Sequence, residues 1–232
     1  MHNITLIGTH HSEIGECNSD ELYKIIESII PEVIFEELPS NYFDMIYSDS
    51  FDMYCINSIL LNRHPPVVSP EVKCVKKYKQ NHKIKNFPVD IDESPNLSEN
   101  EKNLFTIFFN DDVYKKLEHK RDLLIEEEGF NYLNSDIFLD FLEEKEITEK
   151  KIMESEIHKD ILLHTYKIFY KKQDYRENAW LEKIYNYSKE NQYNQAVFLF
   201  GAAHRKSIMQ KIKEYEKMSE IKLNWTNIKT NR

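Results

Sequence analysis

Residues 4–12 read ITLIGTHHS: four residues typical of a buried strand, then a glycine, and shortly afterwards two adjacent histidines. The same order returns at residues 196–204, which read AVFLFGAAH. Each stretch is therefore an apolar strand followed by Gly-x-x-His. We expect the two turns to lie side by side and to hold one reactive centre.

Strands and helices are expected to alternate along the chain. We predict strands at 4–7, 33–35, 84–91, 196–200 and 221–225, and helices at about 19–30, 41–62, 70–80 and 203–217. The run at 33–35 is continuously apolar, which is typical of a sheet covered on both faces. Pro88 either marks the strand at 84–91 as an edge strand or argues against it. This order predicts an α/β fold with a mainly parallel (mixed) central sheet flanked by helices.

The second part of the chain differs in composition from the first. All seven prolines lie within the first 95 residues, and only two of the four glycines lie beyond them. A long charged segment with so few helix breakers favours helices. We therefore predict a large helical insertion at about 98–192, between two strands of the sheet. With 232 residues, the chain is expected to form a single domain over 1–232.

Charge and cysteine content limit the classes of function. The chain has 31 Lys and Arg against 40 Asp and Glu, a net charge of −9, which disfavours nucleic-acid binding and, weakly, anionic membranes. Cys17, Cys55 and Cys74 form no CxxC pair, so free thiols in a reducing compartment are expected. Neither a signal peptide nor an apolar run of about 20 residues is recognised. We expect a cytoplasmic protein without nucleic-acid or membrane partners; a homodimer stays open.

Histidines or carboxylates follow four of the predicted strands. In an open parallel sheet, ligands bind just beyond the carboxyl ends of the strands. Because those ends meet at one edge, we expect the side chains that follow them to gather there. They are His10, His11, Glu36, Glu37, Asp90, Asp92 and His204.

Gly8 and Gly201 prepare the two turns, because glycine allows a positive φ or a close approach of the backbone. The helix expected after each turn has a partly positive N-terminus, which keeps a nearby histidine neutral. Neutral imidazole can bind a metal or accept a proton. Two such histidines and a carboxylate suit Zn, Mn or Co; without a metal, they form a general base with an orienting partner. His11 has the matching spacing, so we expect His10 to point elsewhere.

Strand alternation affects the two acidic pairs differently. Glu36 and Glu37 are neighbours and point to opposite sides of their strand, so only one of them faces the cleft. Asp90 and Asp92 share a face, which suits a two-residue site. An aspartate before Pro95 is equally typical of a turn.

Three segments resemble a known family. Residues 8–12 (GTHHS) and 30–38 (IPEVIFEEL) resemble the opening of the TraB/PrgY and Tiki proteins, in which a Gly-Thr-x-His turn precedes a Pro-Asp-Val-Val-x-x-Glu-Leu strand. Residues 196–204 resemble their second Gly-x-x-His. The segment RENAW at 176–180 is similar to a helical Arg-Asp/Asn-x-x-Met segment ahead of it. The wider superfamily includes the erythromycin esterases, the ChaN-like proteins and a domain of the Pasteurella toxin.

The resemblance covers residues 4–38 and 174–215 directly. It implies an α/β sheet with a helical insertion and a cleft that holds His11, Glu37 and His204. Tiki proteins are metal-dependent proteases, and erythromycin esterases open a lactone with a histidine that acts on water. TraB-like proteins that act on peptide pheromones show that the fold need not imply turnover.

The chain departs from the family pattern at three places. His10 replaces a residue that is usually small or apolar, and Trp180 stands where methionine is common. Residues 92–95 read DESP instead of the Asp-Arg-Pro of TraB proteins. Neither the subfamily nor the substrate is therefore carried over.

These observations together predict a hydrolase that cleaves an amide or, as second choice, an ester in a peptide or small-molecule substrate. His11, Glu37 and His204 would bind Mn, Co or Zn, or would activate water directly. Arg176 would bind a substrate carboxylate or the developing oxyanion, or else form a surface ion pair with its acidic neighbours. Two other functions stay open: a non-catalytic module that binds a peptide or small ligand, and a metal or haem carrier.

Overall fold

Five strands form one sheet at the centre of the chain. The structure is a computed structural model that describes residues 2–60, 68–92 and 97–228, so the turn expected at Pro95 lies outside the described ranges. The strands are β1 (His2–Thr9), β2 (Val33–Pro39), β3 (Lys85–Asp90), β4 (Gln195–Gly201) and β5 (Leu223–Asn227). Their order is β3-β2-β4-β1-β5, and each neighbouring pair is parallel, which confirms the predicted fold class. Pro88 lies in β3, at the edge of the sheet.

Ten α-helices accompany the sheet within these ranges. They are α1 (Ser19–Ile29), α2 (Ser40–Ile46), α3 (Asp49–Leu60), α4 (Pro70–Asn81), α5 (Glu99–Asn110), α6 (Asp112–Glu128), α7 (Phe130–Leu133), α8 (Asp136–Ser155), α9 (Lys159–Glu190) and α10 (Arg205–Met218). The predicted helical insertion is α5 to α9, between β3 and β4. Along the described chain, none of the helices has the length and apolar character that crossing a bilayer requires.

Both faces of the sheet are covered, as the continuous apolar runs predict. Phe198 and Phe200 of β4 pack in one cluster with Trp180 of α9. The alternate residues Val197 and Leu199 belong to a second cluster with α1 and α4 on the opposite face. Strand alternation thus sends neighbouring apolar residues into two separate cores.

Polar capping residues begin new helices at two places. The helix predicted at 41–62 is two helices, because the Ser48 hydroxyl accepts a hydrogen bond from the Phe51 N–H and a new helix begins. The Asp111 carboxylate likewise accepts from two N–H groups in the first turn of α6, which separates α6 from α5. The Asn18 side chain caps α1 by accepting from the Asp20 and Glu21 N–H groups. Such caps satisfy N–H groups that a helix start leaves unpaired.

Gly8 does not break β1, contrary to expectation, because the strand continues to Thr9. The pairing of β1 with β5 ends at Leu6. Beyond it, the Asn134 side chain forms hydrogen bonds with the backbone N–H and carbonyl of Gly8. Its Oδ1 accepts from the Gly8 N–H at 2.7 Å, and its Nδ2 donates to the Gly8 carbonyl at 2.9 Å. A Cβ on Gly8 would lie 3.1 Å from the Ala202 Cβ, so the glycine allows close approach here rather than a positive φ.

The chain between β1 and α1 is a loop, residues 10–18, that packs against the end of α6. Gly15 has a φ of +49°, and a Cβ there would lie only 2.1 Å from the Glu126 carbonyl oxygen. A positive φ in this close contact requires glycine. Because α1 begins only at Ser19, His11 does not lie at a helix N-terminus, which corrects the expectation for this histidine.

Candidate functional site

The two Gly-x-x-His turns lie side by side at the carboxyl edge of the sheet. Thr9 of β1 pairs with Gly201 of β4, and His11 and His204 follow these residues. Both imidazoles and Glu37 of β2 line one cleft of about 640 Å³, which extends toward the helical insertion. Three side chains predicted to converge therefore share one cleft.

His204 is held by a carboxylate from the insertion. It ends the one-turn 3-10 helix Ala202–His204 and directly precedes α10. Its Nδ1 lies 2.6 Å from Oε1 of Glu177, which is buried on α9 and also accepts a hydrogen bond from the Ser207 hydroxyl. With Nδ1 held in this way, Nε2 faces Glu37, whose Oε1 is 3.8 Å away.

His11 is held in the same manner by α4. Its Nδ1 lies 3.0 Å from Oε1 of Glu71, and the Thr9 hydroxyl donates to the same oxygen. The His11 side chain is 60% exposed, whereas that of Glu71 is 10% exposed. The hydrogen bond with Glu71 raises the pKa of His11 from 6.5 to about 9, although partial burial opposes the rise. His11 is therefore mainly protonated at neutral pH, and the expectation of a neutral imidazole here is wrong.

Gly201 creates the space in which His11 and Glu37 meet. A Cβ on this residue would lie 3.0 Å from Nε2 of His11 and 3.4 Å from Oε2 of Glu37. The Gly201 N–H donates to the same Glu37 oxygen at 2.6 Å. Its φ is −58°, so the glycine is needed for close approach and not for a left-handed backbone.

Arg176 of α9 binds two carboxylates at the edge of the cleft. Its Nη2 donates to Glu37 at 2.9 Å and to Asp90 at 2.7 Å, Nε donates to Asp90 at 3.2 Å, and Nη1 donates to Gln173 at 2.7 Å. Its guanidinium lies 5.1 Å from the ring centroid of Trp180, whose Nε1 donates to Asp90 at 2.7 Å. Burial alone would raise the pKa of Asp90, but the hydrogen bonds from Arg176 and Trp180 lower it below its ordinary value.

The ion pairs of Arg176 are therefore with Glu37 and Asp90 and not with its acidic neighbours in sequence. Of its five N–H groups, four are used in these contacts and in the one with Gln173. The side chain is only 14% exposed. The arginine thus orients the Glu37 carboxylate. It does not present a free cation to the cleft.

Three predicted neighbours of the centre point elsewhere. Glu36 lies on the other side of β2, where it is buried, and burial raises its pKa to about 7 although Tyr47 and other groups donate to it. Nδ1 of His10 lies 2.9 Å from the backbone carbonyl oxygen of Ser12, in the same loop. Asp92 is exposed and accepts from the Asn41 N–H at 3.3 Å. Asp90 and Asp92 therefore do not form a two-residue site.

A small cavity of about 20 Å³ adjoins the cleft beside α4. Thr9, His11, Glu36, Glu37 and Glu71 contribute to its lining. The Oε2 atom of Glu71 is buried and, among the described residues, has no hydrogen-bond partner. A space of this size has room for about one water, which would supply the donor that a buried carboxylate oxygen requires.

The donor chemistry of the centre fits a divalent cation only in part. Carboxylates hold the Nδ1 atoms of His11 and His204, which is the usual arrangement behind metal-binding imidazoles. Glu37, however, already contacts the Arg176 guanidinium through Oε1 and the Gly201 N–H through Oε2. Within the described ranges, no group of three His, Cys, Asp or Glu side chains is arranged to hold a metal ion. A metal held by the three predicted ligands would have to share the Glu37 carboxylate with Arg176 and the Gly201 N–H.

The sequence patterns did not indicate Glu71 or Glu177 as parts of the site. Glu71 follows Ser69 and Pro70 in the first turn of a helix, where the helix dipole favours any acidic residue. Glu177 lies next to Arg176 on a long charged helix. Only the burial of both carboxylates, each against an imidazole, distinguishes them from ordinary helix-surface acids.

The geometry can also be compared with known proteins. No family model, no curated protein and no solved structure matches this chain. What the site does is therefore inferred from its own geometry and chemistry.

Proposed function

We propose that the protein is a hydrolase of amides or, as second choice, esters, and that His204 activates the attacking water. The proposal rests on a glutamate–histidine contact that occurs twice. At the ends of two adjacent parallel strands, a buried glutamate holds Nδ1 of a histidine, and both imidazoles lie beside Glu37. A carboxylate behind an imidazole is the arrangement that fixes a general base in hydrolases.

His204 is suited to take the proton of the water. When its Nδ1–H donates to Glu177, Nε2 is left as an acceptor that faces the cleft. The hydroxide would attack the carbonyl carbon, and His204 would return the proton to the leaving nitrogen or oxygen as that bond breaks. Glu177 and Glu37 both favour the positive charge that His204 carries between these steps.

His11 is suited to a different role. With a pKa of about 9 it carries a proton on each ring nitrogen at neutral pH, so its Nε2–H is a charged donor at the rim of the cleft. Such a donor stabilises the negative charge that develops on a carbonyl oxygen during attack. Arg176 would then act as a positioning residue, because it orients Glu37 between the two imidazoles.

A panel of peptides, p-nitroanilides and p-nitrophenyl esters tests the proposal. We expect at least one substrate to be cleaved, and His204→Ala and His11→Ala to lower kcat by on the order of 10²-fold or more. His10→Ala is the matched control, because His10 is adjacent in sequence but bonds only within its loop. Hydrolysis that survives both His11→Ala and His204→Ala would reject the assignment.

A metal-dependent form of this hydrolase, with Mn, Co or Zn, is supported by the TraB/Tiki resemblance and by the two carboxylate-held imidazoles. His11, Glu37 and His204 would hold the ion, which would lower the pKa of a bound water. Elemental analysis and calorimetry with the three metals test this form. Metal uptake by the wild type that is lost in His204→Ala supports it, and hydrolysis in the presence of a strong chelator contradicts it.

A non-catalytic module that binds a peptide or small ligand is the second candidate. It is favoured by the full engagement of Glu37, whose two oxygens already have donors from Arg176 and Gly201. Ligand binding without turnover on any member of the panel would support it. An absorbance titration with haem examines the carrier alternative, in which His11 or His204 would produce a shifted Soret band.

We also propose a cytoplasmic location and no cysteine nucleophile. Cys17, Cys55 and Cys74 are free thiols, which suits a reducing compartment. Burial raises the pKa of Cys17 and of Cys74 to about 12, so these thiols stay protonated and unreactive at neutral pH. Alkylation of the native protein by iodoacetamide should therefore reach neither of them.

A further inference from the structure

The cleft continues from the two histidines into an aromatic region of the helical insertion. Phe105 of α5 and Phe169 and Tyr170 of α9 line this part, together with Glu149 of α8. Tyr170 is 44% exposed, so its ring is open to the cleft. Tyr170 and Glu177 are seven residues apart on α9, which places them on one face of the helix and about 10 Å apart along its axis.

Glu149 is a buried carboxylate whose neighbours are tyrosine hydroxyls. It is 1% exposed, and it accepts hydrogen bonds from Tyr166 at 3.0 Å, Tyr114 at 3.3 Å and Tyr170 at 3.4 Å. Burial raises the pKa of Glu149, because the three hydroxyls replace only part of its hydration. A buried anion of this kind is stabilised further by any cation that reaches it.

The other carboxylates of the cleft already have basic partners. Glu37 pairs with Arg176, Glu177 with His204, and the half-buried Glu146 with a lysine one turn along α8. Among the described residues, no ion pair includes Glu149. Within the described part of the chain, Glu149 is therefore held by hydroxyl donors and by the more distant charge of Lys145, without an ion pair of its own.

The lysines that line the cleft form their ion pairs with other carboxylates. Lys145 pairs with Glu118 at 3.0 Å, and Lys206 pairs with Glu143 at 3.0 Å. Lys145 also lies 5.4 Å from the ring centroid of Tyr114 and favours the ionised form of Glu149, but its ion pair is with Glu118. Among the described residues, the Glu149 carboxylate therefore has no ion pair. The net charge of −9 attracts cations to the protein as a whole.

We propose that Glu149 and the rings of Phe105, Phe169 and Tyr170, which line the cleft, bind an organic ammonium group. Aromatic faces attract such a cation through their π electrons, and the carboxylate adds a charge-assisted contact. The rings lie close together, with centroids 5.0 Å apart for Phe105 and Phe169 and 5.3 Å apart for Phe169 and Tyr170. What this site implies for the substrate rests on the proposed hydrolase function. In that case the substrate carries an ammonium group roughly 10 Å from the bond that is cleaved.

Choline and its uncharged isostere 3,3-dimethylbutan-1-ol are the probes, since they differ in charge and hardly in shape. Titrated into the full chain and followed by calorimetry and by NMR of the aromatic side chains, choline should bind at least roughly tenfold more tightly than the alcohol. Glu149→Gln should reduce this difference several-fold, because only the attraction of the aromatic rings remains. Glu146→Gln is the matched control, because it removes a paired carboxylate from the same helix and cleft. Equal affinity of the wild type for the two probes, or a preference for choline that Glu149→Gln does not reduce, would overturn the proposal.

A second variant protects the test against misfolding of Glu149→Gln. Tyr170→Ala removes an exposed ring and should weaken choline binding several-fold while far-UV circular dichroism stays unchanged. Unchanged choline binding in Tyr170→Ala would contradict the site even if Glu149→Gln does not fold. Choline binding should also be the same in His204→Ala, because this measurement needs no turnover. Binding without any hydrolysis would remove the proposed function only, whereas hydrolysis without choline binding would remove only the ammonium site.

Discussion

The carboxylate of Glu177 lies 2.6 Å from Nδ1 of His204, and this contact leaves Nε2 of the imidazole facing Glu37. Glu71 holds His11 in the same way, with its Oε1 3.0 Å from Nδ1. The histidines come from strand ends, whereas both glutamates come from helices on opposite sides of the sheet. The candidate centre is therefore a product of sheet and helices together.

Replacing Glu177 with glutamine should disturb the orientation of His204. The amide can place an N–H toward Nδ1 instead of accepting from it, so the proton would move to Nε2, which then no longer accepts a proton from water. We expect kcat to fall by on the order of 10²-fold with little change in KM. Nitrogen-15 NMR should detect the change of tautomer directly.

Glu182→Gln, at an exposed position on the same helix, is the control for this change. It should leave both kcat and the His204 spectrum as they are. A Glu177→Gln protein with the wild-type tautomer at His204 would contradict the role given to Glu177.

His11 should titrate near pH 9, and Glu71→Gln should move its midpoint down toward 6.5. Since the folded pKa lies above the unfolded value, the His11–Glu71 contact stabilises the folded state fully below about pH 6.5. This contribution disappears as the pH rises through about 9. The NMR signal of His11 Hε1, followed from pH 6 to 10, measures the midpoint.

Urea unfolding gives an independent measurement of the same linkage. The difference in unfolding free energy between wild type and Glu71→Gln should be larger at pH 7 than at pH 9.5. Glu13→Gln, which changes an exposed acid in the His11 loop, is the matched control. A wild-type His11 midpoint near 6.5 would show that Glu71 does not hold the imidazolium.

Alanine at the two turn glycines should have different effects. In Gly8→Ala the new Cβ would meet the Cα and Cβ of Ala202 and Oδ1 of Asn134, so unfolding free energy should fall by about 1–3 kcal/mol. In Gly201→Ala the new Cβ would meet the largely exposed His11 ring, which can move aside. Gly201→Ala should therefore lose less stability but lower kcat by on the order of 10²-fold, because the ring is displaced.

Urea unfolding and steady-state kinetics of the two variants provide the comparison. Equal losses of stability in Gly8→Ala and Gly201→Ala would indicate that the His11 ring is held rigidly. Full activity in Gly201→Ala would indicate that its position over this glycine has no part in the reaction.

Arg176→Met should be among the most destabilising single changes near the cleft. It leaves the largely buried carboxylates of Glu37 and Asp90 without their shared cation, which costs about 3–5 kcal/mol of unfolding free energy. Lys171→Met, at an exposed position on the same helix, should cost far less. Adding Asp90→Asn to Arg176→Met should recover part of the loss, because one of the two uncompensated charges is then removed. Urea unfolding of the wild type, the two single variants and the double variant measures these differences in unfolding free energy.

Sequence patterns determined the mainly parallel sheet, the helical insertion and the meeting of His11 and His204 with a carboxylate from a strand end, whereas the choice of Glu37 over Glu36 came from the family resemblance. These depend on local chemistry: apolar runs form covered strands, and residues at the carboxyl ends of parallel strands meet at one edge. Strand alternation likewise separated Glu36 from Glu37, since neighbouring side chains of a strand point to opposite sides.

Only the tertiary structure decided which groups control the two imidazoles. Glu71 lies 60 residues from His11, and Glu177 lies 27 residues from His204. A local pattern cannot specify that either carboxylate is buried against a ring, because that depends on how α4 and α9 pack on the sheet. The same packing sets the protonation of His11: the pKa follows from a carboxylate 3.0 Å away rather than from the helix that comes next in the sequence.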